Sequence, residues 1–287
     1  MLMATRTCIV ETDWLEAHLN APDLIVLDGS WYMPAENRDP RAEFLEERIP
    51  GALFFDIDEL SDSSTDLPHM LPSATLFASR MKKAGIGDGM RIVVYDSAGL
   101  FSAARVWWML RAMGHEEVAV LNGGLPKWKA EKRPLEDGPV RVRTPRHFTA
   151  RLNASLVRDL ADMQALLSTP GAQIVDARSA ARFEGRQPEP RAGLRSGHMP
   201  GARNIPFNEV LNPDGTLKPK EELSRIFREA GVDVAQPVVT TCGSGVTAAV
   251  LALALAITGN RDAAVYDGSW AEWGQDNGLP VVTGPAT

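Results

Sequence analysis

The sequence predicts an α/β protein of two tandem domains, each a mainly parallel sheet flanked by helices. The first observation behind this prediction is an internal repeat, in which four ordered pairs of segments match at offsets between 145 and 150 residues. Matches in one order and at nearly constant spacing indicate a diverged tandem duplication. The matched pairs are residues 24–28 with 173–177, 49–52 with 199–202, 93–114 with 238–259, and 121–128 with 266–273.

The second observation is that each copy alternates short β-branched runs with segments of helical periodicity. Residues 74–84 and 221–230 are predicted helices, each followed by a glycine that caps it. Alternating strands and helices require crossover connections, and these favour a parallel sheet covered on both faces. We expect domains at residues 10–138 and 155–285. The proline- and arginine-containing stretch 139–154 is expected to be the linker between them.

Composition excludes several classes of protein. The net charge of -7, from 30 basic and 37 acidic residues, argues against nucleic acid as a partner. The longest apolar stretch, 246–257, is shorter than the ~20 residues of a membrane span, and residues 1–14 lack the apolar segment of a signal peptide. The two cysteines, Cys8 and Cys242, have no Cys or His at ligand spacing. We therefore expect a cytoplasmic protein with neither a disulfide framework nor a metal, and no membrane partner.

Cys242 is the candidate nucleophile. It follows a β-branched run, 238–241, and precedes a loop of small residues that opens into an alanine-rich apolar helix. A loop at a helix N-terminus directs backbone N–H groups and the positive end of the helix dipole at what it encloses, which favours a thiolate. The alternative is an inert cysteine buried at the end of a core strand. Gly243 and Gly245 favour the nucleophile, because glycines let the backbone curl closely around a bound group.

The two copies differ at this loop. At an offset of 145 residues Ser97 stands opposite Cys242, and a shift by one residue places Asp96 there instead. In either alignment the first copy has no thiol. We therefore expect thiolate chemistry only in the second copy, with the first as a scaffold that lends residues to the site.

The two-copy layout, the Cys-Gly-Ser-Gly-Val-Thr loop at 242–247, and the segments 105–108 and 267–270 resemble the tandem rhodanese-type sulfurtransferases. The resemblance covers essentially the whole chain. Within that family, thiosulfate sulfurtransferases usually place basic residues directly after the cysteine, where they neutralise a dianion. The uncharged loop here is similar to that of the 3-mercaptopyruvate sulfurtransferases, whose substrate is a monoanionic α-keto thiol. The resemblance implies that Gly243, Gly245, Val246 and Thr247 contact the substrate.

The resemblance also implies that Arg182 and Arg191 hold the substrate. Arginine grips a planar carboxylate through two parallel N–H bonds, so it sets orientation as well as affinity. For the remaining arginines of this stretch we expect solvation or pairing with nearby acids. These are Arg178, Arg186 and Arg195.

A proton relay of Ser244, His69 and Asp58 is implied by the same resemblance. The leaving enolate needs a proton and the incoming thiol must lose one, so the chemistry asks for such a relay. The alternative is that His69 is an interface histidine and Asp58 a loop cap. His198, beside the repeated Pro-Gly turn, is expected to be structural.

The resulting prediction is a 3-mercaptopyruvate sulfurtransferase that needs no cofactor. Sulfur passes through a Cys242 persulfide to cyanide or a thiol, such as a thioredoxin-like protein. The nearest alternative is a thiosulfate:cyanide sulfurtransferase. A cysteine phosphatase or arsenate reductase is disfavoured, because the arginine that usually closes such a loop six residues after the cysteine is replaced by Ala248. A non-catalytic interaction module is disfavoured by the intact loop.

Overall fold

The β-branched runs form two five-stranded parallel sheets, one in each copy of the repeat. They are seen in a computed structural model, which describes residues 7–169 and 171–286. The strand order is β1-β5-β4-β2-β3 in the first sheet and β6-β10-β9-β7-β8 in the second. The strands are β1 Ile9–Val10, β2 Leu24–Asp28, β3 Leu53–Phe54, β4 Arg91–Tyr95, β5 Val118–Leu121, β6 Val157–Arg158, β7 Gln173–Asp176, β8 Arg203–Asn204, β9 Val238–Thr241 and β10 Ala264–Tyr266. The two identical orders confirm the predicted fold class and the duplication.

Helices connect the strands in both copies. The predicted helices at 74–84 and 221–230 are confirmed as Ala74–Lys83 and Lys220–Glu229, and the glycine after each has a left-handed φ. The helices are α1 Thr12–His18, α2 Pro40–Glu46, α3 Ala74–Lys83, α4 Ala103–Ala112, α5 Gly124–Ala130, α6 Leu160–Ser168, α7 Ala180–Phe183, α8 Lys220–Glu229, α9 Ala248–Thr258 and α10 Ser269–Trp273. Short 3₁₀ turns lie at Pro34–Glu36, Ala154–Leu156 and Phe207–Val210. In the described part of the chain, none of these helices is long and apolar enough to cross a bilayer.

Strand register defines which residues of the two copies correspond. In the first sheet Asp28 of β2 pairs with Tyr95 of β4, and in the second Asp176 of β7 pairs with Thr241 of β9. Tyr95 therefore corresponds to Thr241, at an offset of 146 residues. The next residue along, Asp96, is the counterpart of Cys242. The sequence alone left Ser97 and Asp96 as alternatives.

The contacts divide the chain into two units that do not follow the sequence halves. One unit comprises residues 1–60, 72–152 and 213–217, and the other comprises 61–71, 153–212 and 218–287. Each unit thus contains a short segment from the other half of the repeat. The segment 61–71, which we assigned to the first copy by continuity, belongs by its contacts to the second unit.

The stretch predicted as a linker lies mostly against the first unit. The backbone carbonyl of His147 accepts a hydrogen bond from the Asp88 N–H at 2.9 Å. The Arg151 N–H donates to the backbone carbonyl of Met113 at 2.9 Å. Phe148 between them is 4% exposed. No helix or strand is present among residues 139–153, in line with the low periodicity of this stretch.

Candidate active site

Cys242 lies directly after β9, at the carboxyl end of a parallel sheet, which is where such sheets commonly bind ligands. Its backbone is fixed on both sides. The Cys242 N–H donates to the Ser269 hydroxyl at 3.2 Å, and its carbonyl accepts from the Trp270 N–H at 2.9 Å. The thiol residue is 2% exposed. The predicted sequence of strand, loop and apolar helix is confirmed here, with α9 beginning at Ala248.

The loop after the cysteine presents unused backbone donors. In the described part of the chain, no protein group accepts a hydrogen bond from the amides of Gly243, Ser244, Val246 and Thr247. Gly245 turns the loop with a φ of 77°. These N–H groups lie at the N-terminus of an eleven-residue helix, whose dipole adds to their attraction for negative charge.

The corresponding loop of the first unit already holds a carboxyl group. The carboxylate of Asp96 accepts hydrogen bonds from the amides of Ala98, Phe101 and Ala103 at 2.9, 2.8 and 2.8 Å. Burial raises the pKa of Asp96 above its ordinary value of 3.8, although the amide hydrogen bonds act in the opposite direction. A loop of this design therefore accommodates a carboxylate attached to the residue that replaces the cysteine.

The two arginines assigned to substrate binding lie beside the loop. A methyl group built on Gly243 would stand 3.2 Å from Nη2 of Arg182 and 3.7 Å from Nη1 of Arg191. Arg191 also donates to the hydroxyl of Ser244 at 3.4 Å. The structure thus brings both guanidinium groups to the residue that follows Cys242. A side chain at position 243 would crowd them.

Glu189, which sequence reasoning missed, holds Arg182 in place. Its carboxylate accepts from Nε of Arg182 at 3.1 Å and from Nη2 at 2.5 Å, and its side chain is 2% exposed. The same carboxylate accepts from Arg178 at 2.8 Å. The sequence signal that could have pointed to this role is an acidic residue among the arginines of this stretch, two positions before Arg191.

Arg178 is the buried anchor of this network. It forms a bidentate pair with Asp176 and stacks over the ring of Trp270 at 4.0 Å. Burial alone lowers the pKa of Arg178, but Asp176 and Glu189 outweigh that effect and the pKa is raised. The prediction of pairing with acids is confirmed for this residue.

The other two arginines of the stretch, Arg186 and Arg195, have partners outside this network. Arg186 is exposed and pairs with Glu184 at 2.5 Å, as predicted. Arg195 differs from the prediction of solvation or an acidic partner, because it donates to the backbone carbonyls of Leu279 and Trp273 at 2.7 and 3.0 Å. It therefore secures the C-terminal segment of the second unit.

Two members of the predicted relay meet in the second unit. Nδ1 of His69 lies 3.0 Å from the hydroxyl of Ser244, and both residues are buried, at 4% and 5% exposure. Asp58 lies in the first unit, where its carboxylate accepts from the indole N–H of Trp31 at 3.0 Å. The participation of Asp58 in the relay stays a prediction.

His198 has the structural surroundings expected of it. Its ring stacks on Phe183 at 3.6 Å and Nδ1 lies 2.8 Å from the Phe183 carbonyl. Burial lowers its pKa. Among residues 7–169 and 171–286, no group of three or more His, Cys, Asp and Glu side chains is placed to hold a metal ion.

Comparison with known proteins gives consistent matches. The family of rhodanese-like domains matches residues 11–131 and 159–276. A 3-mercaptopyruvate sulfurtransferase of Mus musculus is 45% identical over 271 residues, covering 92% of this chain and 91% of its own. The mitochondrial thiosulfate/3-mercaptopyruvate sulfurtransferase 1 of Arabidopsis thaliana is 42% identical over 299 residues, covering 97% and 79%.

A solved structure agrees with these matches. The crystal structure of the 3-mercaptopyruvate sulfotransferase SseA from Escherichia coli superposes with a TM-score of 0.84 at 42% identity. The alignment covers 93% of this chain and 100% of that one.

Proposed function

This chain belongs to the family of rhodanese-like domain proteins, and we propose that it is a 3-mercaptopyruvate sulfurtransferase that releases pyruvate. The observation that carries the proposal is the position of Arg182 and Arg191 beside Gly243, next to a cysteine whose loop offers unused amide donors. Two guanidinium groups suit a substrate with a carboxylate and an adjacent keto oxygen, because each group donates two parallel N–H bonds.

In the first half-reaction, the Cys242 thiolate attacks the sulfur of 3-mercaptopyruvate. The new S–S bond forms as the substrate C–S bond breaks, and the electron pair of that bond leaves with the carbon fragment as pyruvate enolate. The enolate takes up a proton and becomes pyruvate. The substrate sulfur, with its hydrogen, stays on the enzyme as a persulfide, a covalent intermediate that divides the transfer into two steps.

The loop amides stabilise the charge of the persulfide after it loses its proton. Preorganised N–H donors in a water-poor site stabilise developing negative charge strongly, because no solvent has to reorganise. The amides of Gly243, Ser244, Val246 and Thr247 supply such donors here. The carboxylate of Asp96 among the equivalent amides of the first unit supports this assignment.

His69 and Ser244 handle the protons of both half-reactions. A hydroxyl 3.0 Å from an imidazole nitrogen forms the hydrogen bond that general acid–base catalysis needs. In our proposal Ser244 exchanges a proton with the enolate or with the incoming thiol, and His69 exchanges it in turn. Asp58, the third member of the predicted relay, lies in the first unit, and its role stays a prediction.

The acceptor is a thiol, such as a thioredoxin-like protein or a small thiol, or cyanide. The sulfur of a thiol acceptor, or the carbon of cyanide, attacks the outer persulfide sulfur. The S–S bond breaks, its electron pair returns to Cys242 as the thiolate, and the product is a persulfide of the acceptor or thiocyanate. A reducing, cytoplasmic location fits this chemistry, since neither Cys8 nor Cys242 forms a disulfide. No metal or organic cofactor enters any step of the proposal.

Comparing two sulfur donors with the same protein tests the proposal. We expect kcat/KM for 3-mercaptopyruvate to exceed that for thiosulfate by at least tenfold, because the loop from Gly243 to Thr247 contains no cation to neutralise a dianion. An equal or higher value for thiosulfate would favour the thiosulfate:cyanide alternative. Hydrolysis of an aryl phosphate would favour the phosphatase alternative. We expect none, because this chain has Ala248 where such enzymes usually have an arginine.

A further inference from the structure

Asp267 fixes the end of the segment 61–71 on the second unit. The Leu71 N–H donates to Oδ2 of Asp267 at 2.7 Å, and Asp267 is 4% exposed. Asp267 directly follows β10, at the same edge of the sheet as Cys242. A buried amide left without an acceptor is costly, so this contact attaches the end of the segment to the second unit. His69 lies two residues before it.

His69 itself has a strained backbone. Its φ is 63°, in the left-handed region that residues other than glycine adopt uncommonly. Such a conformation persists where the surroundings hold it, and it clusters at functional sites. The Asp62 N–H donates to the Met70 carbonyl at 2.9 Å, so this bond and the one from the Leu71 N–H both hold the Met70–Leu71 peptide group, one residue after His69.

The first unit repeats this attachment without the histidine. The Leu217 N–H donates to Oδ1 of Asn122 at 2.8 Å, within the unit that contains residues 213–217. Leu217 and Asn122 lie 146 and 145 residues from Leu71 and Asp267. The position equivalent to His69 is Gly215, with a φ of 79°. The unit whose loop has no thiol thus has glycine at the position where the left-handed backbone favours it.

We infer that Asp267 is a positioning residue for the proton relay, since it holds the segment that keeps Nδ1 of His69 at hydrogen-bond distance from Ser244. The relay part of this inference rests on the proposed function, whereas the attachment of the segment does not. The second unit has His69 in the left-handed conformation, where the first unit has Gly215. The carboxylate of Asp267 attaches the segment in the second unit, and the side-chain amide of Asn122 does so in the first. Asn122 therefore offers a matched control in the same chain.

Hydrogen exchange at the backbone amides tests the attachment independently of activity. In Asp267→Ala the amide of Leu71 is expected to exchange at least tenfold faster than in the wild type, while Leu217 is unchanged. Asn122→Ala should give the converse. Asp267→Asn keeps an acceptor oxygen and should keep Leu71 protected. Unchanged exchange at Leu71 in Asp267→Ala would overturn the inference.

Single-turnover release of pyruvate from 3-mercaptopyruvate tests the relay. We expect Asp267→Ala to be at least tenfold slower than the wild type, and Asp267→Asn and Asn122→Ala to stay within threefold of it. If Asp267 acts through His69, the double variant with His69→Gln is no slower than His69→Gln alone, because coupled residues are not additive.

Three outcomes separate the possible failures. Multiplying effects in the double variant, or a wild-type rate in Asp267→Ala, would overturn the positioning role. A wild type that releases no pyruvate would overturn the proposed function, and hydrogen exchange would still decide the attachment. If Asp267→Ala does not fold, Asp267→Ser takes its place, because its shorter side chain does not reach the Leu71 amide.

Discussion

Arg182 illustrates how single side chains are prepared for a substrate. The Glu189 side chain, 2% exposed, accepts hydrogen bonds from Nε and Nη2 of Arg182, and the same Nη2 lies beside Gly243 of the loop. Ordering the long side chain in advance lowers the entropy lost when the substrate binds. The sequence pointed to Arg182 through a family resemblance. The role of Glu189 was not predicted, because the position of its carboxylate depends on how residues 176–191 fold.

Replacing Arg182 by alanine should chiefly impair the use of 3-mercaptopyruvate. A hydrogen bond to a charged group contributes about 1.5–3 kcal/mol, so we expect kcat/KM to fall about 10- to 100-fold, mostly through KM. Arg186→Ala is the matched control, since Arg186 is exposed and pairs with Glu184. Equal effects of the two substitutions in steady-state kinetics would contradict the assignment of Arg182 to the substrate.

At the scale of elements, the ends of β2 and β7 carry the same buried aspartate in different surroundings. Asp176 pairs with Arg178, whereas Asp28 accepts from the Ser30 N–H at 2.9 Å and is 1% exposed. Burial raises the pKa of Asp28 from 3.8 to about 6. The sequence repeat predicted that both aspartates lie at the ends of equivalent strands. Which of them gains a cation depends on the residue two positions later, whose side-chain direction a pattern does not reveal.

The raised pKa of Asp28 predicts a pH dependence of stability. Because the folded state binds this proton more tightly than the unfolded state, the contribution is present below pH 3.8 and is lost as pH rises towards 6. A shift of this size corresponds to about 3 kcal/mol. Relative to the wild type, Asp28→Asn should therefore gain up to about 3 kcal/mol in free energy of unfolding between pH 4 and pH 7.

Urea unfolding of both proteins at these two pH values measures this change. Asp23→Asn is the control, because Asp23 is exposed and its hydrogen bond with Arg91 lowers its pKa. The Asp23 variant should show no such gain. If the wild type and Asp28→Asn respond identically to pH, Asp28 does not titrate in this range in the folded protein.

At the scale of the whole molecule, duplication has produced two versions of one loop. In the first unit the carboxylate of Asp96 accepts from the amides of Ala98 and Phe101. In the described part of the second unit, the equivalent amides of Ser244 and Thr247 donate to no protein group. The repeat, the parallel sheets and the loop were predictable, because strands, helices and glycines leave local patterns. The exchange of residues 61–71 and 213–217 between the units was not, since it depends on tertiary packing that no local pattern encodes.

The central claim is that sulfur from 3-mercaptopyruvate passes through Cys242 alone. Incubating the protein in excess over substrate, while following pyruvate and the masses of the cysteine peptides, tests it most directly. We predict one pyruvate per substrate consumed and one added sulfur atom on Cys242, with neither product in Cys242→Ser. Cys8, buried in the first unit at 3% exposure, should stay unmodified. Pyruvate release by Cys242→Ser, or sulfur on Cys8, would contradict the account.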